Sequence, residues 1–237
     1  MRRNLLISLC IVLGGCAETG FDPISAIAPR AADVQHLDGA SASQLYLSVV
    51  NGLLAQGRYR AALAYLDQYA VNEKKTPHFH QLHGEAFLGT GRYDEAVAAF
   101  SVLEGTGLAP EGFNGLGRVK AAEGDWPAAV SQFERAVGLR PSSAEFLNNL
   151  GYARLVAGGE GLAEAEFNLR QAQELDPASE SIRNNLLIAL IATGKNDEAK
   201  RLLAGIPAVS KRAEVQDFAA DWVKRHRPAD DAAKEDM

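Results

Sequence analysis

The chain contains two cysteines, Cys10 and Cys16, and no other cysteine follows them. Residues 17–237 therefore offer no thiol for a disulfide bond, for nucleophilic catalysis or for zinc ligation. These three kinds of site are excluded from any domain that the rest of the chain forms.

Extended clusters of basic residues are also missing. The chain has 24 Lys and Arg against 30 Asp and Glu, which gives a formal net charge of −6 at pH 7. Removal of residues 1–15 takes away Arg2 and Arg3 and no acidic residue, leaving 22 − 30, or −8. An acidic chain without a basic patch is poorly suited to bind nucleic acid. We therefore expect no nucleic-acid partner.

The sequence lacks the motifs of catalysis as well. No serine or histidine lies in a recognisable nucleophile motif, and no glycine-rich phosphate-binding loop is present. The acidic residues fall mostly at turn or helix-start positions, which does not indicate a catalytic pair of carboxylates. We expect no enzyme activity, no catalytic residue and no cofactor.

Three histidines, His78, His80 and His83, lie within six residues of one another. Because His80 and His83 would share one face of a helix, metal ligation is one interpretation. No aspartate or cysteine joins them nearby, so the donor set is incomplete. The alternative is a packing role within a helix, and we expect no metal site.

The N-terminal residues 1–15 have the anatomy of a secretory signal peptide. Arg2 and Arg3 provide a positive end, an apolar run follows over residues 5–13, and small residues precede Cys16. The apolar run is too short to span a bilayer as a helix. We predict that this segment directs export and is removed.

The four residues Leu13-Gly14-Gly15-Cys16 resemble the lipobox of bacterial lipoproteins. The resemblance implies cleavage before Cys16 and acylation of that cysteine, with palmitate among the acyl chains, so that the lipid anchors the protein in a membrane. Ala17 follows where aspartate would signal retention, which implies an outer-membrane lipoprotein facing the periplasm of a Gram-negative bacterium. The alternative is an ordinary cleaved signal peptide with an incidental cysteine.

Two residue types recur at a nearly constant spacing along the rest of the chain. The glycines are Gly57, Gly91, Gly124, Gly158 and Gly194, at spacings of 34, 33, 34 and 36 residues. The alanines are Ala62, Ala96, Ala129, Ala165 and Ala199, at spacings of 34, 33, 36 and 34 residues. The two extra residues lie in a Gly-Gly-Glu-Gly turn, where a change of length is tolerated. Glycine suits a turn between helices, and alanine lets two helices cross closely.

The repeat is best defined over Pro110–Pro141. Its first helical pattern carries Gly117, and its second carries Ala129 and Phe133. This spacing resembles the tetratricopeptide repeat (TPR), a helix–turn–helix unit of about 34 residues. Lys120 departs from the family pattern, since an aromatic residue is usual there. The resemblance implies an all-α fold: a right-handed solenoid of about five repeats with a C-terminal capping helix.

These features divide the chain into five segments. We predict a signal peptide at 1–15, a lipidated cysteine with a flexible tether at 16–40, five TPR repeats at 41–207, a capping helix at 208–226 and a disordered tail at 227–237. The capping helix is expected to place Val215, Phe218, Trp222 and Val223 on its packing side.

The first helices of a TPR solenoid line its concave surface, and here they carry a row of carboxamides. Aligned repeats place Gln81, Asn114, Asn148 and Asn184 at one position, Asn149 and Asn185 at the next, and Arg118 and Tyr152 one turn along. Carboxamides both donate and accept, so the row suits the backbone of an extended peptide, to which the arginine would add charge and the tyrosine a stacking surface. The alternative, for Asn149 and Asn185 in particular, is that they cap or bridge neighbouring helices.

Several segments resemble the TadD family, the TPR lipoproteins of the tight-adherence (Tad/Flp) pilus apparatus. They are the lipobox, L-N-N-L-G-Y-A at 147–153, A-E-A-E-F-N-L-R-Q-A at 163–172, and R-N-N-L-L-I-A-L at 183–190 followed by G-K-N-D-E-A. The resemblance implies a protein that acts by protein–protein interaction and assists pilus assembly and secretion. Its partner would be the pilus secretin, which it would help to assemble or localise in the outer membrane.

Three other functions stay open. One is a different outer-membrane TPR lipoprotein, such as a type IV pilus pilotin or an adaptor that recruits cell-wall hydrolases or proteases. A second is a peptidoglycan-acting enzyme, which would need a carboxylate pair or a catalytic domain that the sequence does not contain. The third is a purely structural spacer of the envelope, in which the asparagine row would be dispensable.

Overall fold

Eleven helices, and no strand, are formed by the residues that the computed structural model describes, which are 39–159, 161–206 and 208–226. The all-α fold class is thereby confirmed. In chain order the helices are α1 (Gly39–Ala55), α2 (Tyr59–Asn72), α3 (Pro77–Gly89), α4 (Tyr93–Ser101), α5 (Ala109–Glu123), α6 (Trp126–Leu139), α7 (Ala144–Ala157), α8 (Gly161–Leu175), α9 (Glu180–Ala192), α10 (Asn196–Ala204) and α11 (Val209–His226). The predicted signal peptide, Cys16 and the tail at 227–237 lie outside the described residues, whereas Gly39 and Ala40 of the predicted tether belong to α1.

Each of the five repeat glycines lies between the two helices of a repeat and has a positive φ, between 70° and 82°. Gly124 shows why the first helix stops there, because its left-handed backbone turns the chain out of α5. The next residue, Asp125, then starts α6 by accepting a hydrogen bond at Oδ1 from the backbone N–H of Ala128, at 3.1 Å. The sequence period therefore marks the turns correctly.

The two helices of a repeat cross closely because small residues lie at the crossing. The five repeat alanines are at most 4% exposed. On the facing first helix, Gly117 is so close to the ring of Phe133 that an added Cβ would lie 2.6 Å from it. Gly84 and Gly151 face Phe100 and Leu169 in the same way. A small residue on one helix thus receives a large side chain from the other, which gives close packing without a cavity.

The second helix of each repeat packs against the first helix of the next repeat, and the first helices also contact one another. Within each unit α3 pairs with α4, α5 with α6, and α7 with α8, while α3, α5, α7 and α9 also contact one another in sequence. Apolar clusters of buried residues run along the stack, including Phe79, Phe100, Leu147 and Leu187. The first helices therefore form a continuous layer, here called the first-helix face, which consists of α3, α5, α7 and α9.

The last helix, α11, packs mainly on α9 and covers the end of the stack. Val215, Ala219 and Trp222 are its buried residues. The prediction that Phe218 joins them is wrong, since Phe218 is 52% exposed. Residues 215, 219 and 222 follow one helical stripe, and the small Ala219 allows closer approach than Phe218 would. None of the described helices is both long and apolar enough to cross a membrane.

A buried carboxylate links the fourth repeat to the fifth. Glu166 of α8 is 5% exposed. Its Oε1 accepts hydrogen bonds from Arg170 Nε at 3.0 Å and Lys195 Nζ at 2.7 Å, and its Oε2 accepts one from Thr193 Oγ1 at 2.9 Å. Arg170 also donates to Glu198 of α10 at 2.6 Å. Burial raises the pKa of Glu166, but the hydrogen bonds from Lys195, Arg170 and Thr193 outweigh it and hold the net pKa below that of an ordinary glutamate.

Replacement of Ala129 by leucine should overpack the crossing between α5 and α6. Because Ala129 is fully buried, we expect Ala129→Leu to lower the free energy of unfolding by about 1–3 kcal/mol, measured by urea denaturation. Ala98→Leu, at an exposed position of α4, is the control and should change it little. Equal stability of the two variants would contradict the crossing described here.

Glu166→Gln should destabilise the protein in a pH-dependent way. A folded-state pKa below the unfolded one means that the ionised carboxylate stabilises the fold above the ordinary glutamate pKa of about 4.3, and that this contribution is lost as the pH falls through the folded-state value. We expect the variant to melt well below the wild type at pH 7 and the gap to narrow below about pH 4. Glu164→Gln, at an exposed position of the same helix, should show no such pH-dependent gap.

Candidate functional site

The predicted carboxamides lie on the first-helix face. Gln81 belongs to α3, Asn114 to α5, Asn148 and Asn149 to α7, and Asn184 and Asn185 to α9. The structure therefore brings the row together on successive first helices.

Asn114 is almost fully buried, at 4% exposure, and it connects α5 to α7. Its Nδ2 donates to Glu145 Oε1 at 3.0 Å, and its Oδ1 accepts from Asn149 Nδ2 at 2.9 Å. A carboxylate only accepts hydrogen bonds, so Glu145 fixes which way the Asn114 amide points. That orientation in turn requires Asn149 to donate, and it leaves Asn149 Oδ1 with no partner among the described residues.

The same link recurs one repeat later. Asn185 Nδ2 of α9 donates to Asn148 Oδ1 of α7 at 2.9 Å. The pattern stops at Asn184, whose Oδ1 is buried without a hydrogen-bond partner among the described residues. The next helix in the stack, α11, lies beyond the repeats and does not continue this series of hydrogen bonds between asparagines.

These hydrogen bonds correspond to the bridging alternative for Asn149 and Asn185. They do not use up the polar groups of the row: Asn148 Nδ2, Asn149 Oδ1 and Asn185 Oδ1 make no hydrogen bond to the described part of the chain. The asparagines can therefore bridge repeats and still offer one donor and two acceptors to a ligand. That they bind a peptide stays a prediction.

The charge of Arg118 is paired within the protein. Its guanidinium nitrogen donates to both carboxylate oxygens of Glu85 on α3, at 2.6 and 2.8 Å. The side chains are 37% and 27% exposed, so the pair lies at the surface of the first-helix face. At the start of the row, Gln81 Oε1 lies 3.3 Å from His78 Nδ1. The charge expected from Arg118 is thus neutralised by Glu85, which the sequence did not indicate because the two residues belong to different repeats.

Tyr152 is the centre of an aromatic cluster. Its ring lies 6.0 Å from that of Trp126 on α6, at an angle of 76°, and 6.2 Å from that of Trp222 on α11. Trp222 is 6% exposed and stacks on His226. The terminal helix therefore packs against an aromatic residue of the first-helix face, a contact that the repeat pattern alone does not reveal.

A pocket of about 240 Å³ opens beside this cluster. Its walls come from three first helices and from α6. They are formed by Leu88, Arg118, Ala121, Trp126, Phe133, Asn149 and Tyr152. Three of the predicted residues, Arg118, Asn149 and Tyr152, thus share one site, while the other five lie outside it: Gln81, Asn114, Asn148, Asn184 and Asn185.

The histidines of α3 pack against aromatic rings. His83 lies 4.1 Å from Phe87 and 5.1 Å from Phe79 between ring centres, and its Nε2 is 3.8 Å from Asp67 Oδ1. Burial lowers the pKa of His83, although Asp67 opposes the shift, and burial also lowers the pKa of His80. The described residues contain no group of three or more His, Cys, Asp or Glu that would hold a metal ion.

Comparisons with known proteins agree with this architecture. A tetratricopeptide repeat profile matches residues 50–112 and 114–172, and a second one matches residues 162–221. The chain is 32% identical over 207 residues to the TPR repeat-containing protein PA4299 of Pseudomonas aeruginosa, covering 86% of this chain and 78% of that protein. The chain belongs to the tetratricopeptide repeat family. Members of this family are generally non-catalytic scaffolds whose TPR domains bind protein or peptide partners.

Solved structures show the same fold at low sequence identity. The crystal structure of TTC0263, a TPR protein of Thermus thermophilus, has a TM-score of 0.60 at 22% identity and covers 76% of this chain and 97% of its own. The pilF protein of Pseudomonas aeruginosa has a TM-score of 0.60 at 15% identity, with coverages of 80% and 94%. At these identities the similarity supports the TPR solenoid and nothing finer.

Two asparagines of the row should respond differently to truncation. Asn114→Ala leaves Glu145 and Asn149 without their partner, so we expect it to lower the free energy of unfolding by about 1–3 kcal/mol. Asn184→Ala removes a buried oxygen that has no partner among the described residues, so it should be neutral or stabilising. Urea denaturation of both variants checks this. An equal loss of stability in both would contradict the inter-repeat role of Asn114.

Proposed function

We propose that this protein is a lipid-anchored TPR scaffold of the outer membrane that binds a protein partner in the periplasm. Its role is to assist the assembly or localisation of the secretin of a tight-adherence (Tad/Flp) pilus, as in the TadD family. The observation that carries the binding role is the first-helix face, where Asn149, whose Oδ1 is unpaired within the described chain, lines an open pocket and Asn148 and Asn185 offer further unpaired groups.

The first-helix face is suited to an extended segment of another protein. A peptide backbone presents alternating donors and acceptors, and Asn148 Nδ2, Asn149 Oδ1 and Asn185 Oδ1 offer both kinds of group. These groups lie on the successive first helices α7 and α9, which the Asn185–Asn148 hydrogen bond of 2.9 Å connects. A rigid, preorganised row loses little conformational entropy when a ligand binds.

The anchoring role is supported by the sequence before the repeats. Leu13-Gly14-Gly15-Cys16 has the lipobox pattern after a short apolar run, and Ala17 follows the cysteine. Several acyl chains on one cysteine would hold the protein on the membrane stably, whereas one chain binds only marginally. The scaffold would thereby be held close to a partner in the same membrane.

The pilus role is supported by the resemblance of segments 147–153, 163–172 and 183–190 to TadD lipoproteins. These segments belong to α7, α8 and α9, so they include four asparagines of the row, Asn148, Asn149, Asn184 and Asn185, as well as packing residues. Another outer-membrane TPR lipoprotein, such as a pilotin or an adaptor for hydrolases or proteases, would share the lipid anchor and the first-helix face but act on a different complex.

Lipidation at Cys16 can be tested directly in cells labelled with an alkyne analogue of palmitate. We expect the wild type to be labelled and to fractionate with the outer membrane, and Cys16→Ser to lose both properties. Cys10→Ser is the matched control, because Cys10 lies in the segment that is removed, and it should behave as the wild type. Labelling that survives in Cys16→Ser would refute the anchor.

The pilus role predicts that deletion of the gene lowers the amount of assembled Tad secretin in the outer membrane. Wild-type protein should restore the secretin, and Cys16→Ser should restore it poorly, because the scaffold would no longer be held at the membrane. Immunoblots of heat-resistant secretin multimers give the measurement. Unchanged multimers, together with loss of a different envelope complex, would favour the other TPR lipoproteins over the Tad role.

A further inference from the structure

We propose that the pocket between Leu88, Trp126 and Tyr152 binds one large, uncharged apolar side chain from an extended segment of the partner. The inference rests on the proposed function in one respect, namely that the first-helix face binds a protein. It adds the chemical class of the residue that is recognised and the backbone group that is held beside it.

The pocket has the size and the walls for an apolar side chain. Leu88, Trp126, Tyr152 and Phe133 provide aliphatic and aromatic surface, and the volume is about 240 Å³. An engineered apolar cavity of about 150 Å³ is large enough to bind benzene. A ring or a branched aliphatic group therefore fits, with room for part of the adjoining backbone.

The charges around the pocket favour a neutral ligand. Arg118 is the basic residue of its wall, and both oxygens of the Glu85 carboxylate lie within 2.8 Å of one guanidinium nitrogen. A ligand carboxylate would have to displace Glu85, and a ligand ammonium would have to approach Arg118. Displacing Glu85 and placing a cation beside Arg118 are both unfavourable, so the pocket selects an uncharged side chain.

One wall of the pocket accepts a hydrogen bond. The carboxylate of Glu145 orients Asn114, and Asn114 orients Asn149, so that Asn149 donates from Nδ2 and keeps Oδ1 unpaired within the described chain. The ligand must therefore supply an N–H at this point. A helix uses its interior N–H groups within itself, whereas an extended or polyproline-like segment leaves them free. The partner segment is therefore extended where it passes Asn149.

The terminal helix fixes the aromatic wall. The rings of Trp222 of α11 and Trp126 of α6 both pack on the ring of Tyr152, at 6.2 and 6.0 Å between ring centres. These are the only two tryptophans of the chain. Ligand entry beside Tyr152 should therefore change the intrinsic fluorescence of the protein, and the change should depend mainly on Trp126, which lines the pocket.

A phage library of random heptapeptides, selected on the full-length protein, tests the proposal. We expect the enriched peptides to share one Phe, Trp, Leu or Met and no acidic or basic residue next to it. Ala121→Leu, which fills the pocket from α5, should weaken a synthetic copy of the best peptide at least about tenfold. Ala122→Leu, the neighbouring exposed position of the same helix, is the control and should bind as the wild type. If Ala121→Leu does not fold, Leu88→Ala takes its place. It removes apolar surface from another wall of the pocket and should likewise weaken binding of the peptide.

The hydrogen bond to Asn149 is tested with the same peptide methylated at the backbone nitrogen beside its apolar residue. The methylated peptide should bind about three- to tenfold more weakly than the unmethylated one. Binding of the unmethylated peptide should quench or shift the fluorescence of Trp126, and this signal should be absent from Trp126→Phe. Peptides that share acidic residues, that bind Ala121→Leu unchanged, or that fail to enrich at all would each overturn the pocket. The secretin measurement is independent of the peptide measurement. If the peptides behave as expected but the secretin multimers are unchanged by deletion, the pilus role alone is refuted. If the secretin multimers are lost but the peptides do not behave as expected, the pocket alone is refuted.

Discussion

The structure depends on one packing interaction that the second, third and fourth repeats share: a glycine of the first helix receives a large side chain of the second helix. Gly117 against Phe133 and Gly151 against Leu169 show how little room is left, since an added Cβ at either glycine would lie 2.6 Å from the facing side chain. Because this contact sets the distance between the two helices of a repeat, it also sets how successive first helices line up. The order of the first-helix face follows from that alignment.

On this apolar frame, polar groups connect one repeat to the next. The Asn114–Asn149 and Asn148–Asn185 hydrogen bonds, each 2.9 Å long, join first helices, and the Glu166 network joins the fourth repeat to the fifth. Buried polar groups are costly unless they are paired, so such links favour one register between repeats. Each of these hydrogen bonds uses only one polar group of Asn148, Asn149 and Asn185 and leaves the other unpaired within the described chain. The same asparagines can therefore connect repeats and bind a ligand.

Sequence reasoning was most successful where the determinant is local. The turn glycines, the crossing alanines and the membership of the asparagines in one row all follow from the spacing of residues within a single repeat. The pairing of Arg118 with Glu85 and the contact of Trp222 with Tyr152 join residues of different units, so no local spacing reveals them. Phe218 is misplaced by sequence reasoning because positions 218 and 219 both have helical spacing from Val215 and Trp222, and only packing on α9 decides between them. Asn114 is a similar case, since the hydrogen-bond acceptor of its buried amide is Glu145, a residue of the next repeat.

The central claim is that the first-helix face, and not the outer surface of the second helices, holds the partner. Hydrogen–deuterium exchange of the full-length protein, with and without the partner that it captures from the envelope, tests this most directly. The account predicts slower exchange on binding in α3, α5, α7 and α9 and little change in α4, α8 and α10. Slower exchange confined to the second helices would place the partner on the opposite surface and contradict the account.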